Sequence, residues 1–144
     1  MIDPQRILDA QSLLARYFGP TRIARAASLS SPARNVFLKI ETGLPTGSFK
    51  VRGALYALSL KLAGRDGLKV SEVVCASTGN HGAAVAYAAQ QLGIRATIFL
   101  PTTAHPAFHK AAQYLDLDVV AVPVSVESGR ASAADLASGV RTIT

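Results

Sequence analysis

Between residues 36 and 122 the chain alternates short apolar runs with longer helical stretches, and few folds accept that rhythm. Val36-Phe37-Leu38-Lys39-Ile40 reads as a short strand. A loop over Glu41–Gly47 leads into a helical stretch from Ser48 to Leu62. A turn at Gly64–Gly67 leads to a strand over Glu72–Ala76. A loop at Ser77–Gly79 opens a helix from Asn80 to Leu92, stopped by Gly93. The strand Ala96–Leu100 follows, closed by Pro101. A further helical stretch runs from Pro106 to about Leu115, before a strand over Val119–Val122. Strand, helix, strand, helix, strand is the pattern of an α/β fold: an open parallel sheet with βαβ crossovers. Val73, Val74, Ile98, Phe99, Leu100, Val119 and Val120 lie in nearly continuous apolar runs. Such strands are covered on both faces.

Ahead of this core, Asp3 suits an N-cap and Pro4 a first helical position. Ile7, Leu8, Leu13, Leu14, Tyr17 and Phe18 repeat at helical spacing until Gly19-Pro20. Residues 21–35 are polar and irregular. The chain therefore divides into an N-terminal helix and linker over 1–35, a βαβαβ core over 36–123 and a tail over 124–144 that is weakly helical at best. With 144 residues, 49 % of them hydrophobic, there is enough apolar content for a core and too much for disorder. The net charge of +6 raises the question of nucleic acid. The basic residues are scattered singly, so no nucleic-acid partner is expected and an anionic small ligand explains the charge at least as well. No secretory leader and no membrane-spanning run is read in these residues, so a cytoplasmic setting and no membrane partner are expected.

Ligands of parallel α/β sheets bind where strands end and helices begin. Two loops are expected there. In Pro45-Thr46-Gly47-Ser48-Phe49-Lys50-Val51-Arg52-Gly53 a lysine falls in the first turn of an expected helix. A helix N-terminus carries partial positive charge, so a cation there is a poor structural choice. It is a reasonable chemical one, because an amine that gives up its proton attacks carbonyl carbon to form a Schiff base. The plainer reading is a solvated surface lysine. In Ala76-Ser77-Thr78-Gly79-Asn80-His81-Gly82 the hydroxyls, an amide and the main-chain N–H groups of a helix start make an anion site. The plainer reading here is a Ser or Asn helix cap.

Together, the two loops resemble those of fold-type II pyridoxal-phosphate enzymes, in particular the serine/threonine dehydratase and serine racemase branch. The resemblance is read from Val36 to Val122. It rests on Leu38-Lys39-Ile40-Glu41, on Pro45 through Ala54, on Ser77 through Gly82, and on Ala84-Val85-Ala86-Tyr87-Ala88-Ala89. It implies part of the tryptophan synthase β-like fold, lacking most of the second domain, with residues 1–35 belonging to the larger domain. It implies pyridoxal 5'-phosphate as cofactor and a small amino acid as substrate, and a homo-oligomer is compatible with it. Lys50 matches the lysine that binds the cofactor covalently and moves the Cα proton. Asn80 matches the asparagine that hydrogen-bonds the cofactor's ring hydroxyl. Ser77, Thr78, Asn80 and His81 match the loop that grips the substrate carboxylate. Val51 stands where cysteine and threonine synthases usually place an aspartate. Thr78 stands where racemases place a serine as second base. The first favours the dehydratase–racemase branch over the synthases; the second favours β-elimination, the deamination of a hydroxy amino acid such as threonine or serine, over racemisation. An amino-acid racemase or a related ammonia-lyase is the alternative within the fold.

The sequence departs from the family in two respects. Family members are roughly twice as long or longer, and a glycine-rich loop holds the cofactor phosphate. No glycine-rich tetrad occurs in these residues. Beyond Val122 no resemblance is read, and residues 125–144 look divergent or frame-altered. An incomplete fragment with little turnover of its own, exposing apolar surface, is therefore expected. An inactive truncated paralogue or interaction module is the competing class. His105 and His109 have a metal-ligand spacing, but Pro106 starts the helix between them, so no metal site is expected. Cys75 lies in an apolar strand and reads as a buried small hydrophobe.

Overall fold

The computed structural model describes residues 3–64, 70–77, 79–101 and 121–122. Helix α1 spans Pro4–Leu14. The Asp3 carboxylate accepts from the Gln5 amide at 2.9 Å, and Pro4 occupies the first turn as expected. The helix ends earlier than its apolar spacing predicts: Tyr17 and Phe18 lie in the turn that follows and still pack on the core.

The chain then forms a ribbon. Strand β1 (Ile23–Arg25) pairs antiparallel with β2 (Phe37–Lys39), in the register Ile23↔Lys39, Ala24↔Leu38 and Arg25↔Phe37. Two expectations are corrected here. Residues 21–35 are not wholly irregular, and the strand at 36–40 does not begin the parallel sheet. The ribbon also joins residues on the two sides of the division expected at residue 35. The physical reason is that β2 is exposed along its whole length. A strand buried on neither face pairs locally and has no need of the main sheet. Ile23, Phe37 and Leu38 of this ribbon, and Leu29 between its strands, present apolar side chains to solvent.

Helix α2 spans Lys50–Leu62 and buries Val51, Ala54, Leu55 and Leu58, one stripe at helical spacing. Strand β3 (Glu72–Ala76) and helix α3 (Asn80–Leu92) fall where the apolar pattern predicts them. Strands β4 (Arg95–Pro101) and β5 (Ala121–Val122) complete a three-stranded parallel sheet in the order β3-β4-β5. β3–α3–β4 is a βαβ unit, so the α/β class and the parallel sheet are as expected. The register places Val73 beside Ala96 and Cys75 beside Ile98. These four belong to the core shared with α2 and α3, while Val74 and Phe99 form a smaller buried group. Alternation along a strand sends neighbours to opposite faces, so both faces of β3 are covered.

Helix α3 is almost surrounded. Gly82, Ala83, Ala84, Val85, Ala86, Ala88 and Ala89 are all buried. Their small side chains let it lie close to α2, to β3 and to β4. Gly93 ends it in the left-handed region at φ 68°, with the Ile94 amide reaching back to Ala89 O at 3.1 Å. The helical stretch expected at 106–115, Val119, Val120 and the tail from 124 lie outside the described residues.

Candidate active site

The segment before α2 is a series of tight turns. A single 3-10 turn over Glu41–Gly43 ends on Leu44, which is 5 % exposed and anchors the loop in the core. The Gly47 amide donates to Leu44 O at 2.8 Å, and Gly47 has φ 67°, a conformation that costs a residue with a Cβ about 1–2 kcal/mol. The Ser48 hydroxyl accepts from the Lys50 amide at 3.2 Å. Lys50 is the first residue of α2, so the helix begins two residues later than the start expected at Ser48, and the lysine lies in its first turn as expected. Its side chain is exposed, and its amine has no hydrogen-bond or ion-pair partner among the described residues. Phe49 beside it is 64 % exposed. The Thr46 hydroxyl oxygen is buried without a partner among the described residues.

The second loop leaves the carboxyl end of β3. The Ser77 amide extends the sheet ladder by donating to Phe99 O at 3.0 Å. The Ser77 hydroxyl accepts from the Gly82 amide at 2.9 Å and from the Gly79 amide at 3.3 Å. It therefore caps α3, and the plainer reading of this serine is the one its contacts display. Asn80 opens the helix, is exposed, and has no side-chain partner among the described residues. His81 is half-buried. Burial first, and then the Lys50 charge, hold its imidazole below the ordinary value of 6.5. Thr78 lies outside the described residues, as do His105 and His109.

The Lys50 charge is thus felt at His81, in the second loop. Lys50 and His81 begin helices that pack on each other, so the lysine and the Ser77–His81 loop share one end of the helix pair. The route differs from the expectation. The Lys50 loop arrives from the antiparallel ribbon and not from a strand of the parallel sheet. Only the Ser77 loop leaves a parallel strand at its carboxyl end, the usual ligand position of such sheets.

One functional feature was not visible as such in the sequence. In the sequence, Arg52 and Glu41 stand only as parts of the two motifs. In the structure Arg52 Nε donates to Glu41 Oε2 at 2.7 Å and Nη2 to Oε1 at 3.3 Å. Lys39 Nζ lies 2.9 Å from Glu41 Oε1, and Thr21 Oγ1 donates to the same oxygen. Arg52, then Thr21 and Lys39, hold the Glu41 carboxyl down at about 2 against burial, which pushes it up. The only sequence signal was a glutamate and an arginine flanking a loop. Elsewhere, Cys75 is buried and its thiol is pushed up to about 12 by desolvation, so it is a packing residue as expected. Among the described residues no group of three or more ligating side chains could hold a metal ion, and no helix is long and apolar enough to cross a membrane.

An exposed amine and an asparagine amide, both without partners among the described residues, an imidazole whose protonation is disfavoured by burial and by the Lys50 charge, and a helix N-terminus suit an anionic aldehyde. The donor set fits pyridoxal phosphate at its aldehyde and ring. The family assignment agrees: the model of the pyridoxal-phosphate dependent enzyme family matches residues 14–142, and the chain belongs to that family. The match extends beyond Val36–Val122 in both directions, which corrects the extent over which the resemblance was read. A biosynthetic L-threonine dehydratase of Lactococcus lactis is 43 % identical over 104 residues, covering 72 % of this chain and 24 % of that protein. An L-serine dehydratase/L-threonine deaminase of Mus musculus is 46 % identical over 69 residues, covering 48 % of this chain and 20 % of that one. Among solved structures, maize serine racemase superposes with a TM-score of 0.85 at 29 % identity, covering 99 % of this chain and 43 % of that chain. The chain thus spans about a quarter of the length of these two curated relatives.

Proposed function

We propose that these residues supply the lysine and the substrate loop of a pyridoxal-phosphate-dependent ammonia-lyase acting on a hydroxy amino acid such as threonine or serine. The observation that carries this reading is the exposed Lys50 amine at the start of α2, without a partner among the described residues and within electrostatic reach of His81 at the start of α3. Lys50 would hold the cofactor's aldehyde carbon through Nζ and would take the substrate's Cα proton on the same amine. When bound, the cofactor would supply the sink for the electron pair that this proton leaves behind. The Asn80 amide would hold the ring hydroxyl. Ser77, Thr78, Asn80 and His81 meet the substrate carboxylate at the N-terminal end of α3. The Ser77 oxygen is engaged by two amides, so its contribution is its proton, which points weakly to Gly79 O at 3.4 Å. In the net reaction water leaves from Cα–H and Cβ–OH and is regained as the amino group departs as ammonia, giving a keto acid.

The dehydratases among the relatives support elimination, and Thr78, in place of a serine base, supports it over racemisation. These 144 residues hold no glycine-rich loop for the cofactor phosphate. Losing several charge-assisted hydrogen bonds of about 1.5–3 kcal/mol each weakens binding severely, so the chain by itself turns over little. The test is borohydride trapping of pyridoxal phosphate on the purified chain, with the modified lysine located by mass spectrometry. Label concentrated on Lys50 at low cofactor, and lost in Lys50→Ala, is the expected result. Label spread evenly over Lys39, Lys61, Lys69 and Lys110 would overturn the assignment of Lys50.

A further inference from the structure

The loop that carries Lys50 is closed by side chains at its two ends. It begins at Glu41 and ends at Arg52, and these two form a bidentate pair. Inside it, Leu44 N–H returns to Glu41 O at 3.2 Å, Gly47 N–H to Leu44 O at 2.8 Å, and Arg52 N–H to Phe49 O at 3.0 Å. Each inner turn is local and spans only a few residues. The Glu41–Arg52 contact alone ties the whole segment into a ring.

The ring is also pinned from outside. The Arg52 guanidinium lies over the Phe18 ring, 5.3 Å from its centroid, and Nη2 is 3.5 Å from Thr21 Oγ1. Lys39, the last residue of β2, reaches Glu41 from the ribbon. Exposed ion pairs contribute little, but bidentate geometry and a shared network are the circumstances in which they matter. Glu41 and Arg52 side chains are 18 % and 28 % exposed, so water reaches them only partly. Lys50 and Arg52 are separated on the helix by roughly 200° of rotation. Val51 between them is fully buried. A clamp on Arg52 therefore fixes the rotation of the first turn of α2 and, with it, the direction in which Lys50 leaves.

We propose that Arg52 and Glu41 are positioning residues, whose pair closes the loop and sets where the Lys50 amine is presented. The inference deepens the reading of Lys50 as the cofactor lysine and rests on it. The test compares Arg52→Lys, Glu41→Gln and the double variant with the natural chain, using Glu72→Gln as control. Glu72 carries an ion pair with Arg95 at 3.2 Å on the sheet, away from Lys50. Trace acetylation with a small neutral anhydride reports the reactivity of Lys50 relative to Lys61 at the far end of the same helix. Pyridoxal-phosphate trapping is read in parallel, and circular dichroism confirms folding. The ratio is expected to shift about three-fold or more in each single variant, with no additional shift in the double, as for residues that act as one unit. The control should leave it unchanged. An unchanged ratio, or an equal shift in Glu72→Gln, overturns the proposal. If Glu41→Gln fails to fold, Arg52→Lys, which keeps the charge and loses the fork, decides alone. If the natural chain shows no preference of the cofactor for Lys50 while the ratio still responds, the cofactor reading fails and the positioning of the amine stands.

Discussion

Helices α2 and α3 pack side by side, and the residues at their starts differ in what they offer. At the start of α3 the Ser77 hydroxyl accepts from two main-chain amides, and the helix is capped by its own loop. Neither helix has a side-chain bond from its own N-cap residue or an acidic residue in its first turn; at the start of α2 the Ser48 hydroxyl accepts from one main-chain amide, that of Lys50, and the lysine itself meets the positive end of the helix dipole. One start presents a hydroxyl held by two main-chain amides, and the other presents an exposed amine. On the proposed reading, the chemistry falls on α2 and the recognition on α3.

The comparison can be broken at several strengths. Leu55 is buried in the stripe of α2 that faces the shared core. Leu55→Ala should cost about 2–5 kcal/mol in a urea melt and loosen both helix starts together. Ser77→Ala should cost about 0.5–2 kcal/mol, with amide exchange accelerating at Gly79 and Gly82 but not in α2. Acid acts on the other side. Because Glu41 titrates at about 2 in the fold and at 4.5 when free, its stabilisation is complete above 4.5 and disappears as pH falls from there through 2. Glu41→Gln should flatten that part of the stability profile, by less than the cap substitution because the pair is partly solvated. The smallest effect has the opposite sign. Lys50→Gln removes a cation from a helix N-terminus and should stabilise the chain by about 0.3–1 kcal/mol while abolishing covalent trapping of pyridoxal phosphate.

Much of the core was legible because buried elements leave periodic marks. The strand over 72–76 and the helix from 80 to 92 follow from an unbroken apolar run and from Gly93, where a left-handed residue was needed. The ribbon was not legible. Each of its strands has three residues, β2 is exposed throughout, and so no alternation of apolar and polar residues marks a face. The site shows the same split. Lys50 and the Ser77 loop stood out as residue types in suggestive places. The loop closure by Glu41 and Arg52 did not, because a side-chain contact across a loop depends on how the turns inside it fold. The capping role of Ser77 was readable only as one of two alternatives, since a hydroxyl before a helix serves a cap and a carboxylate equally well.

Cys75 is the only thiol in the chain. It is the fourth of the five residues of β3, 3 % exposed and with its thiol pushed up to about 12 by burial. A thiol reagent therefore meets almost no nucleophile while the sheet is closed. When β3 separates from its neighbours, the same sulfur becomes an ordinary reactive cysteine. The modification rate at excess reagent thus measures how often the centre of the molecule opens, without any introduced probe. A cofactor that bridges α2 and α3 should slow that rate by the amount it tightens the core. The chain carries its own internal gauge of ligand binding in the core beneath the two loops.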